Sequence, residues 1–151
     1  MYKRQAFEQI KEKGSIKLFK SHRTGIEDGE QLRDFIYVKD CADVLLQFLT
    51  NDGLNGIFNL GTGKARSFKD LAKAVFTALD IPEHIEYIDM PESIRNNYQY
   101  FTQADMSKLS SLSEKLAFTS LEVGIDDYVN EYLSKDTVSY THLTLPTTPY
   151  V

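Results

Sequence analysis

Arg33 stands directly before Asp34-Phe35, at the entrance to a run of strand-forming residues. There its planar guanidinium could take two phosphate oxygens at once. Lys20, Ser21, His22 and Arg23 open a long polar loop, "KSHRTGIEDGEQLR", and offer cations and hydrogen-bond donors to the same anion. A loop of that length suggests function rather than simple connection. Tyr98 could stack on a ligand, hydrogen-bond to it, or pack. All of these residue types also suit a solvated surface, and spacing alone leaves both uses open.

The stretch "GIFNLGTGKARSF", Gly56 to Phe68, raises a different chemistry. Gly61-Thr62-Gly63 sits between a run with β character and the start of a helix, where a glycine-rich turn could cradle a dinucleotide's phosphates. The full fingerprint needs a third glycine three residues after the second and an acidic residue about twenty positions on. Arg66 occupies the third-glycine position. The fingerprint therefore fails, and the glycines read as serving a tight turn. Lys64 and Arg66 could meet an anion or simply lie in solvent. The sequence holds no Tyr-x-x-x-Lys pair in a helical context, no nucleophile elbow and no metal-ligand cluster. Cys41 is the only cysteine, and its place in a first helical turn suits a small buried residue. His22, His84 and His142 are scattered and suggest no metal site.

The elements that would position these residues follow from periodicity. Ala6 to Lys13 reads as the end of a helix closing on Gly14, and Ile16 to Phe19 as a short strand. Phe35 to Val38 has β propensity, with Asp40 as cap of a helix over 41–50 whose buried stripe would be Cys41, Val44, Leu45, Phe48 and Leu49. Asn51-Asp52-Gly53 would stop that helix. With a strand at 57–60, this predicts a right-handed βαβ unit. Ser67 caps a helix over 67–79, with Asp70 at its third position and Phe68, Leu71, Ala72, Val75, Phe76 and Leu79 on one face. Ile81-Pro82 breaks the chain before a half-buried strand at 85–88. A turn at Met90-Pro91, a short helix from Asp105 and a last helix from Thr119-Ser120 complete an α/β pattern, most simply one compact unit.

The chain has 151 residues, 42% of them hydrophobic, and a formal charge of −5. That is enough for one ordinary core, and the acidic balance argues against nonspecific nucleic-acid binding. No apolar run is long enough to cross a bilayer, and the opening "MYKRQAFEQIKEKG" has no secretory h-region, which points to no membrane partner and a cytoplasmic location. The ends differ in character from the rest. "VSYTHLTLPTTPYV" is rich in Thr and Pro and uncharged. It resembles a sequencing-library transposase adapter translated in frame, and "MYKRQ" resembles the same adapter's other strand. The expected division is adapter at 1–5, a C-terminal substrate-binding region at 6–136, and a disordered adapter tail at 137–151, unless the tail is a natural disordered one.

The stretches "LRDFIYVKDCADVLLQFL", "GIFNLGTGKARSFKDLAKAV" and "IEYIDMPESIRNNYQYFTQADMSKL", in this order, resemble the C-terminal part of extended short-chain dehydrogenase/reductases acting on nucleotide sugars. The first two occur across that superfamily, UDP-galactose 4-epimerases and dehydratases included. The third, with "IKLFKS", is similar to the family of ADP-L-glycero-D-manno-heptose 6-epimerases of lipopolysaccharide inner-core synthesis. The resemblance covers nearly all of 6–135. It implies the last βαβ portion of a Rossmann-type domain plus a small α/β substrate-binding domain. It also implies ADP-heptose as ligand, NADP as hydride acceptor held upstream of Ala6, and a homo-oligomer. By position, Phe19, Lys20, Ser21, His22, Arg33 and Tyr98 would contact the ADP-heptose, the alignment of His22 being ambiguous because of the insertion "RTGIEDGEQ". No catalytic residue falls in this chain, so alone it would be an inactive fragment with exposed apolar faces and poor solubility. Two other readings stand beside this one: another nucleotide-sugar 4-epimerase or dehydratase, and a standalone binding module without catalysis.

Overall fold

A computed structural model describes residues 2–50, 56–112 and 116–135. The terminal segment 136–151 and the expected helix stop at 51–53 lie outside the described residues. Among those described, the order is α1 (Tyr2–Lys13), β1 (Ile16–Phe19), β2 (Leu32–Arg33), α2 (Val38–Thr50), β3 (Arg66–Ser67), α3 (Phe68–Leu79), β4 (Ile85–Ile88), α4 (Glu92–Arg95), β5 (Phe101–Thr102), α5 (Ser107–Leu112) and α6 (Leu121–Asp127). A π-helical turn, Tyr128–Leu133, continues α6.

The core forms where apolar stripes meet. On α3, burial of Phe68, Leu71, Ala72, Val75 and Phe76 follows the 3.6-residue period, and Leu79 packs partly buried at the edge. Against that face lie Ile10 of α1, Ile16 and Leu18 of β1, and Leu121, Ile125 and Val129 of the last helix. Ser67 closes the capping box of α3: its side chain accepts from the Asp70 N–H, and the Asp70 carboxylate accepts from the Ser67 N–H. The helix ends on Asp80, left-handed at φ 54°, before Ile81-Pro82. β1 and β4 pair in parallel, Ile16 beside Ile85 and Phe19 beside Ile88. Both strands span the expected residues, 16–19 and 85–88.

A second, three-stranded sheet has β2 at its centre, antiparallel to β3 and parallel to β5. Each strand is two residues long, and Arg33 lies between Arg66 and Thr102. This sheet corrects the expected βαβ unit. Phe35 to Tyr37 carry no strand, α2 begins already at Val38, and 57–60 is irregular. Strand propensity is realised only where a neighbouring backbone offers a ladder, and among the described residues none runs beside 35–37 or 57–60. Asp40 is accordingly the third residue of α2 rather than its cap. Its carboxylate accepts from the Thr119 N–H at 2.8 Å and from the Thr119 hydroxyl at 2.6 Å, tying α2 to the segment before α6.

Two further expectations change, on α2 and at Arg66. Of the stripe expected on α2, Val44 is buried, Cys41 and Phe48 are half-buried, and Leu45 and Leu49 are exposed. Helix α1, of which 6–13 was expected to be the end, runs from Tyr2, and Arg4 pairs with Glu8 one turn on at 2.7 Å. Arg66 is half-buried between two carboxylates, Asp70 at 3.0 Å and Glu122 at 2.7 Å.

Candidate functional site

Phe19 ends β1, Arg33 ends β2, and Tyr98 lies between α4 and β5, so three separate segments converge. The Tyr98 ring meets Phe19 edge-on with centroids 6.3 Å apart and Tyr100 at 5.5 Å. The Arg33 guanidinium lies 5.4 Å from the Tyr98 centroid and 5.6 Å from that of Phe68, between the two rings. Its Nη1 donates to the Leu32 carbonyl at 2.7 Å. No carboxylate among the described residues reaches Arg33, in contrast to the doubly paired Arg66.

The loop after β1 is fixed by side chains rather than by a ladder. Gln31, only 1% exposed, donates to the Phe19 carbonyl at 3.2 Å, which holds the chain as it leaves the strand. The Asp28 carboxylate accepts from the Ser21 N–H at 2.7 Å, and the Tyr100 hydroxyl accepts from the His22 N–H at 3.1 Å. Ser21 and Arg23 close a small local turn through the Ser21 hydroxyl. Lys20 forms a surface pair with Asp89 at 3.5 Å. Such an exposed pair is weak and would open to a better anion at little cost. The Arg23 guanidinium lies 5.8 Å from the Tyr100 centroid.

Of the residues singled out in the sequence, Phe19, Arg33 and Tyr98 thus form one cluster, with Ser21 and His22 on the fixed loop beside it and Lys20 turned to Asp89. Sequence reasoning missed Gln31, Asp28 and Tyr100. Gln and Asp in a polar loop carry no signal of their own, and Tyr100 stands close to two other aromatics, Tyr98 and Phe101. A groove of about 440 Å³ lies elsewhere, bordered by Arg66, Lys73, Thr77 and Glu122. Its Arg66 is already neutralised by Asp70 and Glu122, and Asp126 adds a further carboxylate to the same lining as Lys73, so Arg33, which meets no carboxylate among the described residues, stands in the less acidic surroundings.

The glycine turn has its own anion. One Asp34 oxygen accepts from the Thr62 N–H and hydroxyl, the other from the Gly63 and Ala104 N–H groups at 3.0 and 3.1 Å. Burial pushes the Asp34 carboxyl up, but these hydrogen bonds, led by the Thr62 hydroxyl, outweigh it and hold the group below the ordinary range. The amides that would cradle a phosphate are therefore filled from inside the chain. Gly63 needs its left-handed φ of 70°, whereas Gly61 is needed for space: a Cβ there would lie 2.5 Å from Asp34 Oδ2 and 2.6 Å from Ala104 Cβ.

Among the described residues no group of three or more His, Cys, Asp or Glu could hold a metal ion, and no helix is long and apolar enough to cross a membrane.

The NAD dependent epimerase/dehydratase family profile matches residues 4–61. An ADP-L-glycero-D-manno-heptose-6-epimerase of Nitratidesulfovibrio vulgaris strain DP4 is 51% identical over 129 residues, 85% of this chain and 40% of that protein. A protein of the same name from Fusobacterium nucleatum is 48% identical over 136 residues, 86% of this chain and 41% of its own length. The crystal structure of the Helicobacter pylori ADP-L-glycero-D-manno-heptose-6-epimerase superposes with a TM-score of 0.67 at 25% identity, covering 87% of this chain and 37% of that one. The chain spans about 40% of the length of the curated relatives it matches. With an α/β architecture shared with solved epimerases and about half its residues identical to these relatives over the matched stretch, the chain belongs to the NAD dependent epimerase/dehydratase family.

Proposed function

We propose that this chain is the C-terminal, nucleotide-sugar-binding part of an ADP-heptose 6-epimerase. The observation that carries the reading is Arg33: a half-buried guanidinium held between the Phe68 and Tyr98 rings, with no carboxylate partner among the described residues. A cation in that position is complementary to a diphosphate, and the aromatic faces beside it suit a base or a sugar. Phe19, Ser21 and His22 line the same ligand from the fixed loop, and Lys20 joins them when its surface pair with Asp89 opens. The relatives near 50% identity carry an ADP-heptose name, which supports ADP-heptose over a UDP-sugar as the ligand.

The whole enzyme would epimerise C6 of ADP-heptose in the cytoplasm, as a homo-oligomer, for lipopolysaccharide inner-core precursors. NADP would supply a transient hydride acceptor. The Gly61-Thr62-Gly63 turn does not fit that cofactor, since Asp34 takes its amides. Cofactor and acid-base groups therefore belong to the remaining part of the protein, and this chain contributes ligand grip without turnover.

Titration of the chain with ADP tests the grip. Arg33→Gln should weaken ADP binding by about tenfold or more, the scale of a lost charge-assisted hydrogen bond. Unchanged affinity would remove Arg33 from the site. For the whole enzyme, the gene extended upstream should encode a glycine fingerprint and a Tyr-x-x-x-Lys pair. Its purified product should accumulate the 6-epimer from ADP-heptose; action on a UDP-sugar alone would assign it to another epimerase.

A further inference from the structure

Tyr100 is more than nine-tenths buried, and its position is set from both ends. Its carbonyl accepts from the Leu32 N–H at 2.9 Å, so it enters β5 directly beside the strand that carries Arg33. Its hydroxyl oxygen accepts from the His22 N–H at 3.1 Å. That is the hydroxyl's one hydrogen bond among the described residues, and in it the phenol acts as acceptor only. A phenol is donor as well as acceptor, and a buried donor without a partner costs free energy. The proton is therefore uncommitted among the described residues, close to two guanidinium groups. Arg23 lies over the Tyr100 ring and Arg33 over the adjoining Tyr98 ring, and neither guanidinium meets a carboxylate among the described residues.

We infer that the Tyr100 hydroxyl donates its proton to an anionic oxygen of the nucleotide diphosphate that Arg33 holds, with Arg23 as a second cation at the same ligand's edge. This rests on the assignment of Arg33 to ligand contact and adds a neutral donor to it. The His22 amide, by donating to the same oxygen, polarises the phenol and makes it a stronger donor towards the ligand. Arg23 lies over the ring that carries this donor, so the loop and β5 act together on one anion.

The test is a titration with ADP and with adenosine, comparing the unaltered chain with Tyr100→Phe and Arg33→Gln. Tyr100→Phe keeps the ring that supports Arg23 and Tyr98 and removes one oxygen. It should weaken ADP binding about three- to tenfold, as expected for one lost hydrogen bond to a charged acceptor, and leave adenosine binding unchanged. A loosened loop would weaken ADP in the same way, because its donors face the same anion through the lost His22 N–H contact, so it is read separately: faster limited proteolysis within residues 20–30 of ligand-free Tyr100→Phe than of the unaltered chain overturns the inference, and an unchanged cleavage rate supports it. Where adenosine shows no saturable binding, inorganic diphosphate takes its place as the second probe and must weaken by the same factor as ADP in Tyr100→Phe. Unchanged ADP affinity in Tyr100→Phe, with Arg33→Gln weakened, removes Tyr100 from the site and leaves the Arg33 assignment standing. Weakening in Tyr100→Phe with none in Arg33→Gln overturns that assignment instead. No ADP binding by the unaltered chain overturns both.

Discussion

Asp34 decides what the glycine turn can do. Four donors converge on its two oxygens, and the turn is closed by a carboxylate from its own chain. Asp34→Asn keeps the shape but replaces an acceptor-only group by one whose NH₂ faces donors. It should destabilise the fold by about 2 kcal/mol, read as a shifted urea midpoint. The sign with pH follows from the depressed carboxyl. Its contribution is fully present above the ordinary value of 3.8 and is lost as pH falls below that through the folded value. The Asn variant should therefore lose less stability than the parent on acidification below pH 3.8; parallel losses would show that Asp34 contributes no linkage. Gly61→Ala tests the same locus by space. The added methyl meets a carboxylate pinned by four donors and the Cβ of Ala104, neither free to retreat, so the loss should be about 2–3 kcal/mol in the same assay.

Elements were legible in the sequence wherever one local signal sufficed. Helix α3 shows this: its capping box, apolar face and stop at Ile81-Pro82 are all written within fifteen or so residues, and each is realised. Ser67→Ala removes the side-chain half of the box and leaves the Asp70 carboxylate on the Ser67 N–H. It should cost about 1 kcal/mol by thermal or urea unfolding, and no change would mean that the cap is redundant. β1 and β4 were legible for the same reason. The segment 35–38 was not, because β-branched and aromatic residues promise a strand only if some other backbone arrives to pair with it. Instead Tyr37 is buried against Gly124, its hydroxyl bonds Asp127, and Lys39 reaches the same carboxylate at 2.8 Å. The local reading of Asp40 as a cap failed similarly, since its partner Thr119 lies far along the chain. In the candidate site, Arg33 and Tyr98 could be picked by residue type and resemblance. Gln31, Asp28 and Tyr100, which fix the loop, have meaning only once three distant segments are side by side.

At the scale of the whole molecule, the unequal distribution of apolar surface has a physical consequence. The core around α3 is dense, yet Leu45 and Leu49 of α2 are 61% and 80% exposed, with Leu46 also open to solvent and Ile57 at 89%. An apolar face of this kind on a chain spanning about 40% of its relatives' length is what would be left when the part that covers it is absent. In solution the same face should bring copies together, because each leucine removed from water contributes about 2 kcal/mol when fully buried. Leu45→Gln with Leu49→Glu keeps good helix propensity and removes two side chains that lie outside the core cluster. The double variant should sediment with a larger monomer fraction and show an unchanged unfolding midpoint. A lowered midpoint with unaltered self-association would mean that these leucines support the fold of the chain itself, and that the face needs no further covering.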